Sequence, residues 1–182
     1  MTPTPAAAAA VPVETADVPS LLTGRIHHTI CAAVVSDTRV PEQEVGHKPH
    51  GLWYSIDSAW WDWCRSEEWG EVEQKRAFRL DIDTTDILFL TGGFAIDRFT
   101  REYGAEKYGV TNYGIDWPKV VARFKGIEIA PYCYTRRLAD HTRWYYGWDV
   151  ASGCLWDHSA LRGAELVWEP ATLAQARGGR AQ

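Results

Sequence analysis

The stretch Gly51-Leu52-Trp53-Tyr54-Ser55-Ile56-Asp57-Ser58-Ala59-Trp60-Trp61-Asp62-Trp63-Cys64 decides the fold class, because it reads as a strand running straight into a helix. Gly51 to Ile56 is apolar and aromatic enough for a strand. Asp57 or Ser58 can then cap a helix that runs to Trp69, and Gly70 suits the left-handed position past its end. Trp60, Trp63 and Cys64 follow i, i+3, i+4 spacing and predict one buried stripe.

Similar alternation extends on both sides. Arg25 to Val35, Arg76 to Ile82, Ile87 to Leu90, Ile127 to Tyr132 and Ala164 to Glu169 read as strands, and Trp144 to Trp156 as a longer extended segment bent at Gly147 or Gly153. Ile96, Phe99 and Tyr103 predict a second helix closed by Gly104. Trp117, Val120, Val121 and Phe124 predict a third, with Asp116 near its cap, Pro118 in its first turn and Gly126 at its end. Seven short strands and three helices in mixed order give an α+β fold.

Composition sets the limits. The chain has 182 residues, 46% hydrophobic and 24% charged, which predicts one domain with tails. Residues 1–22, rich in Pro, Ala and Thr, read as a flexible lead-in; residues 23–170 form the domain; residues 171–182 form a tail with a short helix over Ala171 to Arg177. Ten Trp, eight Tyr and five Phe supply a large apolar core with aromatics left over for a cleft. No apolar run is long enough for a membrane helix. A net charge of −5 argues against nonspecific binding to nucleic acid, where a basic face is expected. The four cysteines, Cys31, Cys64, Cys133 and Cys154, form no C-x-x-C pair, which gives a structural zinc site little support. Together with the absence of a basic residue before Arg25, they read as reduced thiols of a cytoplasmic protein, with leaderless secretion left open.

Four places can carry chemistry. Lys48-Pro49-His50-Gly51-Leu52-Trp53-Tyr54-Ser55 can hold a flat ring by stacking and anchor it through Ser55; the plainer reading makes Ser55 and Asp57 competing caps and the indoles core. In Gly126-Ile127-Glu128-Ile129, alternation puts Glu128 on the face opposite the two isoleucines, towards solvent or a cleft. Asp149, in Gly147-Trp148-Asp149, can assist catalysis or satisfy a turn at Gly147. His27 and His28 point to opposite faces of one strand, so they cannot share a metal, yet one can face a cleft. Asp81, Asp83 and Asp86 lack the Gly and distal Glu of a calcium loop and read as turn residues.

Taken in order, Lys48-Pro49-x-Gly51-Leu52-Trp53-x-Ser55, Trp60 to Cys64, Ile115-Asp116-Trp117, Gly126-Ile127-Glu128 and Gly147-Trp148-Asp149 resemble small bacterial and phage proteins of the ADP-ribosyltransferase-like superfamily. That resemblance spans roughly Gly24 to Trp168 and implies two small packed sheets with about three short helices. It also implies NAD as substrate, cleavage of the nicotinamide–ribose bond, and transfer of ADP-ribose to a macromolecule or water. By this resemblance the catalytic roles fall to Glu128 and Ser55, with Asp149 the alternative acid. NAD is held by His28, or by Arg25 or His27, with Trp53 or Tyr54 stacking on nicotinamide. No Glu-x-Glu or Gln-x-Glu pair precedes Glu128, and Ser55 lies in no Ser-Thr-Ser run. The competing reading is a non-catalytic module whose aromatic cleft grips a peptide or nucleobase. A third reading is a toxin-like protein neutralised by a partner.

Overall fold

The computed structural model describes residues 18–37 and 39–178. Within them the chain builds an α+β fold on two sheets. Seven strands form the larger one: β1 (Arg25–Thr29), β3 (Leu52–Ile56), β4 (Arg76–Ile82), β5 (Ile87–Leu90), β8 (Gly126–Ile129), β9 (Ser152–Leu155) and β10 (Leu161–Trp168), in the order β10-β4-β1-β3-β9-β8-β5. All neighbours are antiparallel except β5 and β8. A parallel pair needs a crossover. Here it carries α3 (Gly93–Tyr103), the hairpin of β6 (Gly104–Lys107) and β7 (Val110–Asp116), and α4 (Trp117–Val121); β2 (Val45–Gly46), from the segment before β3, joins that hairpin to make the second sheet, in the order β2-β7-β6.

Each strand of the large sheet contributes to two cores because side chains alternate. On one face Tyr54, Phe78, Leu80, Ile82, Ile87 and Leu155 form a single cluster. They belong to one cluster although β1 and β3 lie between β4 and β9, and Arg25 of β1 reaches Glu128 of β8 across β3 and β9, so the sheet curls around this face. The opposite, outer face is covered by two separate packing units. At the β1–β4 end, Ile26 and Ala77 meet Trp61 and Cys64 of α2 (Ala59–Ser66) and Val18 and Leu22 from α1 (Val18–Leu21) and the residue after it. At the β8–β9 end, Ile127, Ile129 and Cys154 meet Ile96, Phe99, Trp117, Trp144 and Trp148. A seam is left between the two units.

The structure corrects several expectations. Val18 and Leu22, assigned by composition to the lead-in, are core residues, while residues 1–17 lie outside the described ones. The first strand stops at Thr29 rather than continuing to Val35. The helix after Ile56 ends at Ser66, not Trp69, and the left-handed residue past it is Glu68 (φ 57°), not Gly70. Gly104 closes α3 as expected and also opens β6, whereas α4 ends at Val121, well before Gly126, which opens β8. Trp144 to Trp156 is not extended throughout: a kinked 3-10 segment spans Asp140–Gly147 and only Ser152–Leu155 is strand. That segment buries Trp144 and Tyr145 together against α3 and β7, which a strand would point to opposite faces. The β6–β7 hairpin, absent from the expectations, turns on Tyr108 and Gly109, both at positive φ, as a two-residue hairpin loop requires. The tail forms a last helix, α5 (Ala171–Gly178), close to the expected one.

Candidate functional site

The seam on the outer face is a cavity of about 340 Å³. Ile26, Ser55 and Ser152, from three neighbouring strands, lie in its lining, and Ser55 pairs in register with both Ile26 and Ser152. Trp60 on α2 borders one side and Trp53 on β3 borders the cavity beneath Lys48. The Lys48 Nζ lies 5.2 Å from the centroid of the Trp53 ring, whose other neighbour is Trp148, edge-on at 4.9 Å. Lys75, Asp149, His27, His28 and Tyr54 add to the polar lining.

Burial lowers the His28 pKa to about 4, helped by the charges of His27 and Lys75, so its ring is neutral near pH 7. Both His28 ring nitrogens are buried and unpartnered among the described residues, a costly arrangement unless a bound group or water meets them. His27 differs: its Nδ1 is 2.7 Å from the Trp53 carbonyl oxygen, which ties β1 to β3. Asp149 accepts from Arg137 Nη2 at 2.9 Å, and its second oxygen stands 4.0 Å from Lys48 Nζ. Burial pulls the Lys48 pKa down, with Asp149 opposing. The Ser152 hydroxyl donates to the Val150 carbonyl, which leaves its lone pairs to accept, whereas Ser55 Oγ makes only long contacts of 3.4 Å to the Ile26 and Asp57 carbonyls.

The residues singled out from the sequence therefore divide between two places. His28, Trp53, Ser55 and Asp149 gather at the seam. Glu128 and Arg25 do not line it. Glu128 pairs with Gly153, and Ser55 with Ser152, so their side chains leave opposite faces of the sheet. On the curled face Glu128, 7% exposed, receives Arg25 Nε at 2.7 Å and the Tyr54 hydroxyl at 3.1 Å through the same oxygen, Oε2. Tyr54 borders the seam from its place on β3, but its ring crosses β9 to reach Glu128; it is not placed to stack on a ring held there. Burial and the Glu128 charge both raise the Tyr54 pKa, so it remains a donor.

Sequence reasoning missed Trp60, Lys75 and Ser152 as cavity residues. Trp60 was legible only as part of a helical stripe, and no local pattern marks Lys75, which arrives from the 3-10 turn after α2 (Gly70–Gln74). Among the described residues no group of three or more His, Cys, Asp or Glu is placed to hold a metal ion, and no helix is long and apolar enough to cross a membrane. Comparison with family models, curated proteins and solved structures gives no match, so the chemistry of this seam stands on its own geometry.

Proposed function

We propose that the seam binds an NAD-type dinucleotide and that the protein is an ADP-ribosyltransferase-like enzyme cleaving the nicotinamide–ribose bond. The observation that carries the reading is the cavity lining: indoles for flat rings, two lysines for phosphates, and hydroxyls, a neutral imidazole and a carboxylate for sugar hydroxyls, in one space of about 340 Å³. Aromatic walls with convergent polar groups are found in small-ligand sites, and that volume lies within their usual range. The order of roles supports the superfamily reading as well, with His28 on the first core strand and Ser55 on its neighbour.

In this reading Asp149, rather than Glu128, is the catalytic carboxylate, because it faces the cavity and Glu128 does not. Loss of nicotinamide takes the C1′–N electron pair with it and leaves oxocarbenium character on the ribose, as in glycoside cleavage. Asp149, held by Arg137, accepts the ribose 2′-hydroxyl and steadies that charge where it develops. Lys48 and Lys75 carry the pyrophosphate, Trp53 and Trp60 flank the rings, and His28 meets a ribose hydroxyl. Water or an acceptor nucleophile then bonds to C1′ and gives up its proton. One well-placed carboxylate of this kind is worth about 3–4 kcal/mol, or roughly 10²–10³ in rate. Incubating the protein with NAD⁺ and following free nicotinamide tests the proposal.

One observation favours a second reading. Asp149 has Arg137 on one oxygen and Lys48 near the other, so its charge is largely balanced before any ligand arrives. That suits a module that holds a nucleotide without cleaving it. Saturable binding of NAD⁺ with no nicotinamide release would select it.

A further inference from the structure

Beside the seam, α2 and the turn after it expose an indole platform. Trp60 and Trp63 stack with centroids 4.9 Å apart and planes 17° from parallel. Trp69 stands edge-on to both, 6.3 Å from Trp60 and 5.5 Å from Trp63. The chain makes this arrangement by a sharp reversal: Glu68 takes a left-handed conformation, and the Trp69 amide bonds back to the Cys64 carbonyl at 2.6 Å. Trp69 is still 55% exposed, so the fold brings a large apolar ring onto its neighbours without burying it.

The surroundings of this platform are acidic. Residues 59–75 carry Asp62, Glu67, Glu68, Glu71 and Glu73 against Arg65 and Lys75, a net charge of −3 within a chain of −5 overall. Arg65 pairs with Glu73, and Lys75, which lines the cavity, stands 3.6 Å from Glu71. Glu67 and Glu68, on the two positions before Trp69, are exposed. Indole faces with carboxylates close by in the chain attract guanidinium and ammonium groups, through the ring quadrupole and through charge.

We propose that the Trp60–Trp63–Trp69 platform is a docking surface for a basic segment of a partner protein, with an arginine side chain laid against Trp69 and flanking cations on Glu67 and Glu68. Trp60 belongs to both the platform and the cavity, so the docked segment lies at the mouth of the seam. The inference concerns binding alone and stands whether or not the seam turns over NAD.

The test uses the full chain and three fluorescent probes: an Arg-Gly repeat peptide, a Glu-Gly repeat peptide, and a single strand of twelve thymidines. The Arg-Gly peptide binds, Trp69→Ala weakens it about tenfold or more, and Glu67→Gln with Glu68→Gln weakens it severalfold; the other probes do not bind. Trp69 is half-exposed, so its replacement spares the core, and circular dichroism checks that each variant is folded. Arg-Gly binding that is unchanged in Trp69→Ala would overturn the proposal. So would preference for the thymidine strand, which would make the platform a base-stacking surface. Self-association of the chain that is lost in Trp69→Ala, with no peptide binding, would assign the platform to a second copy and equally overturn it.

Discussion

The Tyr54 hydroxyl reaches Glu128 Oε2 at 3.1 Å by passing its ring directly over Gly153, the residue that lies between them on β9. A Cβ at Gly153 would stand 2.3 Å from Tyr54 Cζ and 2.7 Å from the Ile127 carbonyl oxygen. The absence of a side chain at one position thus lets two strands that are not neighbours be tied together across a third. The same crossing takes Tyr54 and Glu128 away from the seam and leaves Ser55 facing it.

Gly153→Ala is therefore expected to push Tyr54 off Glu128 and to destabilise the fold by about 1–3 kcal/mol, the range for overpacking. Tyr54→Phe should cost about 1.5–3 kcal/mol through the lost bond to a charged group. Because the two changes remove the same contact, denaturant unfolding of the double variant should fall well short of their sum.

Glu128→Gln leaves the Arg25 guanidinium without its ion partner on the curled face. Arg25 keeps 26% of its side chain exposed, so the loss should be about 1–3 kcal/mol, less than for a fully buried pair. Nicotinamide release per folded molecule should stay within about twofold of the parent protein, since Glu128 and the cavity lie on opposite faces. Thermal unfolding and initial rates, measured on the same preparation, check both parts.

His28 predicts how stability follows pH. Its folded pKa of about 4 lies below the ordinary 6.5, so between these values the unfolded chain binds more protons than the folded one. The corresponding stability, about 3 kcal/mol at most, is fully present above pH 6.5 and is lost as pH falls towards 4. His28→Leu should flatten urea-unfolding free energies over that interval.

Lys48 and Lys75 are the cations of the cavity, and each should contribute to holding a dinucleotide's phosphates. Lys48→Met is expected to weaken NAD⁺ binding about tenfold and to reduce its salt dependence, while ADP-ribose, which keeps the pyrophosphate, should be affected equally. Calorimetric titration at two salt concentrations reads both effects.

Much of this was legible in the sequence where one element answers to one periodicity. The strand–helix reading of Gly51 to Cys64, the strands Arg76–Ile82 and Ile87–Leu90, and the Asp116 cap, which accepts from the Lys119 amide, all follow from local pattern. What could not be read depends on register. Whether Glu128 shares a face with Ser55 turns on the pairing of β8 with β9, where a shift of one residue would reverse the answer. The Trp144 to Trp156 stretch misleads because its aromatics fit an alternating pattern, yet tertiary packing winds the first half into a 3-10 turn that places Trp144, Tyr145 and Trp148 in one cluster. The Tyr108-Gly109 hairpin was hidden because the first left-handed residue is a tyrosine, where Asn or Asp would have signalled it.

Asp149 and Glu128 are the two carboxylates that could meet the ribose, and they lie on opposite faces of the sheet. Nicotinamide release from NAD⁺, followed for the parent chain, Asp149→Asn and Glu128→Gln side by side, decides it. Release by the parent, a fall of about 10²–10³ in Asp149→Asn with NAD⁺ affinity nearly kept, and turnover retained in folded Glu128→Gln are the predicted results. Turnover that survives in Asp149→Asn but vanishes in folded Glu128→Gln, or a parent chain that neither binds nor cleaves NAD⁺, would contradict it.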